Sequence, residues 1–420
     1  MKCNAWTLAL IGAGLVSVPA VTRADEATNS VLTALSATTI SGYVDTSAEW
    51  NPGRGNANQP PFAYNAGKAD GFNLNYVGLV LEKDVVPTDS WGAGYKVDLL
   101  FGPDADAFAT QSALSTGKSD FAVKQAYVAL HAPVGNGLDF KLGVWDTIIG
   151  YEVFYTANDP NFTRSYGFSM EPTTHTGALA TYQVCDAVSA SFGVADGFGP
   201  SINQRADQVP GTTTFNESFK TYMASMTYTA PTNMAWLGGS TLSGCIINGW
   251  NSGLAASSVA AGTPPVFGEN ETSYYLGATL NTPLTWLKAG LAWDLLDPHN
   301  DASGKDWVIG GYLAAQATEK LSFNGRFEYM ENNNVDTLFV NALGAQTVPH
   351  RVTELTATAQ YDLWKNVLSR LEFRWDHDAG GAGVWGGTVP YGTAGTVAPG
   401  PGEGGKKNEL LFLANVVYKF

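Results

Sequence analysis

Sixteen stretches of this chain alternate polar and apolar residues at a period of two, and no helical pattern of comparable length competes. They are Thr39–Trp50, Gly71–Lys83, Gly92–Phe101, Asp120–His131, Leu138–Asp146, Thr174–Val184, Ala187–Ala195 and Glu217–Thr229 in the first half. The second half adds Gly239–Trp250, Thr272–Asn281, Thr285–Leu296, Asp306–Ala317, Lys320–Glu331, Arg351–Asp362, Asn366–Asp376 and Asn408–Phe420. The links between them sort by length. Residues 51–70, 102–119, 147–173, 196–216, 251–271, 297–305, 332–350 and 377–407 are mostly long and rich in Gly, Pro, Asn and Asp. Between them lie 84–91, 132–137, 185–186, 230–238, 282–284, 318–319 and 363–365, all much shorter. A closed antiparallel transmembrane β-barrel needs long extracellular loops and tight periplasmic turns in strict alternation. A soluble sandwich has no reason to sort its loops by end.

The two faces of these stretches separate as a lipid-facing wall and a wet lumen require. Leu321, Phe323, Phe327 and Tyr329 alternate with Ser322, Asn324, Arg326 and Glu328; Leu371, Phe373 and Trp375 alternate with Arg370, Glu372, Arg374 and Asp376. Ile40, Val44 and Trp50 alternate likewise with Ser41, Asp45, Ser47 and Glu49. Nothing else in the sequence could cover so much apolar sheet, so lipid is the natural partner, and hydrocarbon tolerates no open sheet edge. Aromatics near strand ends, among them Trp50, Trp91, Trp145, Trp250, Trp286, Trp293, Trp307, Trp375, Tyr418 and Phe420, fit girdles at the two membrane interfaces.

The N-terminus gives an address. Lys2, the apolar stretch from Trp6 to Val18, and the small residues Ala20 and Ala24 read as a secretory signal peptide over residues 1–24. Residues 25–38 would then be a short periplasmic segment and 39–420 the barrel, placing the protein in the cell outer membrane. No later apolar run reaches the about 20 residues that a spanning helix needs. Cys185 and Cys245 remain after processing, too few for a disulfide scaffold of this size. The net charge of −15, taken to −17 by loss of Lys2 and Arg23, argues against a nucleic-acid partner, which needs a basic face.

Two parts of the chain resemble known barrels. The last strand, Leu410, Phe412, Ala414, Val416, Tyr418 and Phe420 on one face, ends flush on an aromatic as the final strands of outer-membrane barrels do. There the terminal aromatics, here Tyr418 and Phe420, are part of the signal read by the barrel-assembly machinery. The run from Gly143-Val144-Trp145-Asp146 through Gly150-Tyr151-Glu152, Asn158-Asp159-Pro160-Asn161-Phe162 and Glu171-Pro172-Thr173-Thr174-His175-Thr176-Gly177, with Gln125-Ala126-Tyr127-Val128 upstream, resembles the OmpL-like outer-membrane β-barrel porins. The resemblance runs from about Ser41 to the C-terminus. It implies a channel and no defined substrate, and leaves a homo-oligomer open because general porins are often trimers.

General porins fold their third external loop into the lumen, and residues 147–173 are the third by this count. The loop carries Glu152, Asp159, Arg164 and Glu171, while the wall opposite places Arg326, Arg370 and Arg374 on the lumen face. Carboxylates facing arginines across a gap would set a transverse field that filters solutes by size and charge. The plainer reading has lumen charges pairing with neighbours, Arg326 with Glu328 or Arg370 with Glu372.

Reaction chemistry finds little support. The five histidines show no HExxH or zinc spacing, and there is no nucleophile elbow or phosphate-cradling loop. Ser165 with His175 reads as loop polarity, and Asp297-Pro298-His299-Asn300-Asp301 with Asp306 as an Asp/Asn-rich turn rather than a Ca²⁺ site. No enzyme activity, cofactor or metal is expected. Two functions remain: a diffusion channel for small hydrophilic solutes or ions, or a narrow or plugged barrel serving as surface adhesin, receptor or structural anchor. A soluble lectin-like β-protein is a distant third.

Overall fold

A computed structural model describes residues 38–53, 58–60, 68–85, 90–108, 110, 119–203, 219–250, 270–299, 304–332, 339–341, 344–346, 349–388 and 403–420. The strands of its main sheet are β1 (Thr39–Trp50), β2 (Gly71–Lys83), β3 (Gly92–Phe101), β4 (Phe121–Ala132), β5 (Leu138–Asp146), β6 (Thr174–Cys185), β7 (Val188–Ala195) and β8 (Thr221–Thr229). The order continues with β9 (Thr241–Trp250), β10 (Asn270–Asn281), β11 (Leu287–Asp297), β12 (Asp306–Gln316), β13 (Leu321–Glu331), β14 (Arg351–Trp364), β15 (Val367–Asp378) and β16 (Asn408–Lys419). Each pairs with the next, and β16 returns antiparallel to β1, closing one barrel. The seam runs from Trp50 opposite Phe412 to Tyr43 opposite Lys419. Beyond it the Gly42 N–H donates to the Phe420 carbonyl at 2.9 Å, and the Phe420 N–H donates to the Gly42 carbonyl at 3.0 Å. Closure pairs the edge groups that an open sheet would leave bare.

All sixteen expected strands are present, with ends moved by a few residues. β14 runs on to Trp364 past a register shift between Asp362 and Trp364, and β8 begins at Thr221. Loop elements were not anticipated: helix α1 (Pro103–Phe108) in the second external loop, helix α2 (Tyr166–Met170) in the third, and hairpins pairing Phe339–Asn341 with Gly344–Gln346 and Trp385–Gly387 with Glu403–Lys406. These segments are too short to show a period. The signal-peptide segment lies outside the described residues.

Outward positions carry exposed Phe72, Leu142, Phe192, Met226, Leu276, Leu291, Leu313, Phe327, Leu371 and Phe412, an apolar belt that suits hydrocarbon rather than water. Trp50, Trp91, Trp286, Tyr418 and Phe420 are exposed at its rims, joined by Trp236 and Trp364. Trp145 does not belong to this girdle. It is fully buried and packs inside the barrel, because parity with Gly143 turns it inward while Leu142 faces out. Inward faces also differ from a uniformly wet lumen: Leu179, Met223, Ile247, Tyr275, Tyr312, Met330, Val352, Leu411 and Leu413 point inward and are buried. What covers them is the third external loop.

Candidate pore constriction

Register stacks the lumen charges into rows. Glu328 lies opposite Glu354, Glu354 opposite Asp376, and Asp376 opposite Glu409, an acidic row across β13 to β16. The row below runs Arg326, Thr356, Arg374 and Leu411. Below that come Asn324, Thr358, Glu372 and Leu413, then Ser322, Gln360, Arg370 and Asn415. Pleating fixes which residues face inward, and pairing fixes which of them share a height.

The third loop leaves β5 at Asp146 and turns into the bore. Ile148 and Ile149 pack on Trp145, Leu179, Met223, Ile247, Tyr275 and Tyr312, so apolar side chains draw the chain inward. Gly150, at φ +113°, makes a bend that a side chain would obstruct, since a Cβ there meets the Glu171 carboxylate. Tyr151 stacks on Tyr312 with ring centroids 4.0 Å apart, and its hydroxyl occupies the space beside Gly290. Phe154 and Tyr155 then cross to the other wall and pack with Tyr76, Leu100, Ala105 and Phe108. There the Tyr155 hydroxyl donates to Asp98 and the Thr156 hydroxyl to Asp45. Phe162 returns to Leu411 and Leu413.

An irregular loop removed from water needs partners for its peptide groups. Here wall arginines donate to loop carbonyls and wall glutamates accept from loop N–H groups. Arg326 donates to the Thr163 carbonyl at 2.6 Å, Arg374 to the Arg164 carbonyl at 2.5 Å, and Arg370 to those of Thr156 and Asp159 at 2.6 and 2.9 Å. Glu372 accepts from Phe162 and Thr163 N–H at 2.6 and 2.8 Å, and Glu328 from Tyr166 and Gly167 N–H at 2.9 and 3.2 Å. Ser165 caps α2 by accepting from the Phe168 N–H, and the Tyr166 hydroxyl donates to Asp376 at 2.8 Å.

Each residue of the expected constriction therefore has a definite place. Arg326 pairs with Glu152 at 2.8 Å and with Glu354 at 3.2 Å; Arg374 pairs with Asp376 at 2.8 Å. Asp159 pairs with Arg164 at 2.7 Å and accepts from the Val153 N–H. Glu152, Asp159, Arg164, Arg326, Arg370 and Arg374 come together, but in direct contact and buried, not across a water-filled gap. The physical reason is the loop backbone, whose peptide groups take up the same charges. Glu171 sits apart from the arginines, beside Asp294 on β11. Burial and the neighbouring Asp294 carboxylate hold its acid well above the usual carboxylate range. The plainer pairing is present too, with Arg326 3.6 Å from Glu328, whereas the Glu372 oxygens are taken by the loop.

Sequence reasoning put Glu328, Glu372 and Asp376 on the lumen face without assigning them to loop docking, and it passed over Glu354, Asp98 and Asp294. Alternation along β14, with Glu354 in phase with Thr356 and Thr358, was the available signal. A cleft of about 30 Å³, room for about one water, remains among Phe108, Asp146, Ile149, Glu152, Phe154 and Glu171. Ser165 and His175 form no pair: Ser165 is the α2 cap and His175 lies 3.2 Å from the Thr147 hydroxyl. Asp297 pairs with Lys305 at 2.7 Å, while Asn300 and Asp301 lie outside the described residues. Among the described residues no group of acidic, His and Cys side chains could hold a metal. Both Cys185 and Cys245 are free thiols.

Solved structures share this architecture. The outer membrane channel DcaP of Acinetobacter baumannii is 12% identical, with TM-score 0.53 over 91% of this chain and 97% of its own. An anion-selective porin from Comamonas acidovorans is 14% identical, with TM-score 0.53 over 91% and 99%. The trimer form of OmpT, an outer membrane protein of Vibrio cholerae, is 11% identical, with TM-score 0.52 over 91% and 99%. At these identities the likeness is one of fold. No curated protein matches the sequence. Residues 37–420, nearly the whole chain, match the family described as "Putative beta-barrel porin-2, OmpL-like", and the protein belongs to that family of porin-like outer-membrane barrels.

Proposed function

We propose that this protein is an outer-membrane channel for small hydrophilic solutes, its bore narrowed by residues 147–173 held rigidly against the wall. One observation carries the reading: arginines and glutamates of β13 to β15 bind the peptide groups of an inward loop, a framework that keeps a constriction in fixed shape. The Acinetobacter channel and the Comamonas porin, which share the fold, support it. Lipid covers the outward belt, and Tyr418 and Phe420 serve the assembly machinery. The Vibrio trimer supports a homo-oligomer. Purified protein in planar bilayers tests the channel: steady unitary conductance is expected, and silence at saturating insertion overturns it.

A second reading keeps the barrel and removes the flux. The loop touches inward residues of strand groups all around the bore, from Leu179, Met223 and Ile247 through Tyr312 to Asp45 and Asp98. That coverage favours a narrow or plugged barrel acting as receptor or anchor. Silent bilayers with a fully folded, heat-modifiable barrel would select this reading.

A further inference from the structure

The wall beneath the third loop, on the side of the short turns, carries cations with donors left over after loop docking. We propose that Arg370, Lys419, Lys96 and Lys141, interleaved with Tyr43 and Tyr127, form an anion-binding track for small solutes bearing carboxylate or phosphate. The inference deepens the channel reading and rests on it for its meaning in transport.

The residues occupy one arc. Arg370 is on β15 opposite Asn415, Lys419 on β16 opposite Tyr43, Lys96 on β3 opposite both Glu82 and Tyr127, and Lys141 on β5 opposite Ala129. All lie in the halves of their strands nearer the short turns. The Lys141 ammonium stands 5.1 Å from the centre of the Tyr127 ring and has no ion pair among the described residues. Lys419 donates to the Ala157 carbonyl at 2.8 Å, which leaves two of its protons for a ligand. Arg370 is buried, with two nitrogens bound to the loop and to Gln360, while its Nη1 has no partner. Tyr43 stacks on Tyr155 at 4.6 Å and accepts from Asn158, keeping its own proton to donate.

Carboxylates in reach of the arc are engaged elsewhere. Asp98 and Asp146 hold Lys124, at 3.8 and 2.5 Å; Asp139 lies 2.6 Å from His131; Glu372 and Asp159 are bound to the loop; Asp45 is held by Thr156 and Asn75. Glu82, 3.4 Å from Lys96, and Asp362, in the field of Lys419, are the remaining acids. On the wall opposite, at matching inward positions, Thr181 bonds Ser191 and Thr227 bonds Ser243, both at 2.9 Å, and Lys288 of β11, in phase with inward Ala292 and Asp294, adds a cation and no acid. Cations gathered on one wall, facing hydroxyls and a further lysine on the other, draw anions into the lower bore. This happens within a chain whose total charge is −15, so its sum would suggest the opposite preference.

The test compares wild type, the double variant Lys96→Gln/Lys141→Gln, and Lys320→Gln in a short turn. Reversal potentials are read across a KCl gradient in bilayers, and inorganic phosphate is titrated calorimetrically into detergent-held protein. Wild type should prefer chloride. The double variant should shift toward potassium and lose about tenfold in phosphate affinity, while Lys320→Gln matches wild type. A cation-preferring wild type, absence of phosphate binding, or an unchanged double variant overturns the track. Silent bilayers with phosphate binding that the double variant loses would remove the channel and retain the track.

Discussion

Arg326 and Glu152, 174 residues apart in sequence, meet inside the barrel with Nη1 2.8 Å from Oε1 and both side chains buried. The same guanidinium holds Glu354 and the Thr163 carbonyl, so one wall residue ties three chain segments together. Arg326→Gln leaves the buried Glu152 and Glu328 carboxylates without an ion pair among the described residues, while Glu354 keeps Arg374 at 3.7 Å; the loss costs about 3–5 kcal/mol. The heat-modifiable band should convert at lower temperature, and single-channel traces should become noisier. An unchanged transition would mean that the pair contributes little to docking.

The Glu171–Asp294 contact gives the third loop a pH dependence of defined sign. Glu171 has a folded-state pKa above its unfolded value, so its contribution is full below the unfolded value, near the usual 4.5. It is lost as pH rises through the folded value. Thermal stability of wild type should therefore fall as pH is raised above about 4.5, and Glu171→Gln should flatten that slope. Parallel melting-versus-pH curves for the two proteins would contradict it.

Gly290 leaves the room that Tyr151 fills. Gly290→Val should expel the tyrosine at a cost of roughly 1–3 kcal/mol and expose the loop to limited proteolysis between residues 150 and 166. Gly311, one strand away, has open space where its Cβ would stand. Gly311→Val is the matched control and should leave the cleavage rate unaltered; equal rates in both variants would count against the docked loop.

The seam at the C-terminus predicts an assembly defect. Deleting Phe420 removes two backbone hydrogen bonds to Gly42 and the ring that lies against it. The fraction of chain reaching the outer membrane as a heat-modifiable barrel should drop severalfold, with the remainder in the periplasm. Normal yield would show that closure and recognition do not depend on this residue.

Alternation along the chain was enough to determine strand number, the faces of each strand and the sorting of long and short links, because a period of two is a local property of the backbone. It placed Arg326, Arg370 and Arg374 on the lumen face, where the structure finds them. Local pattern could not determine height. Only pairing across strands brings Glu328, Glu354 and Asp376 into one row and aligns Arg326 with Arg374. Nor did composition show that apolar Leu411, Leu413, Ile247 and Met223 face inward to receive a loop rather than lipid, since hydrophobicity carries no address. The irregular run from Ile148 to Met170 has no period to read. Its conformation is set by contacts with distant strands, which satisfy peptide groups it cannot satisfy itself.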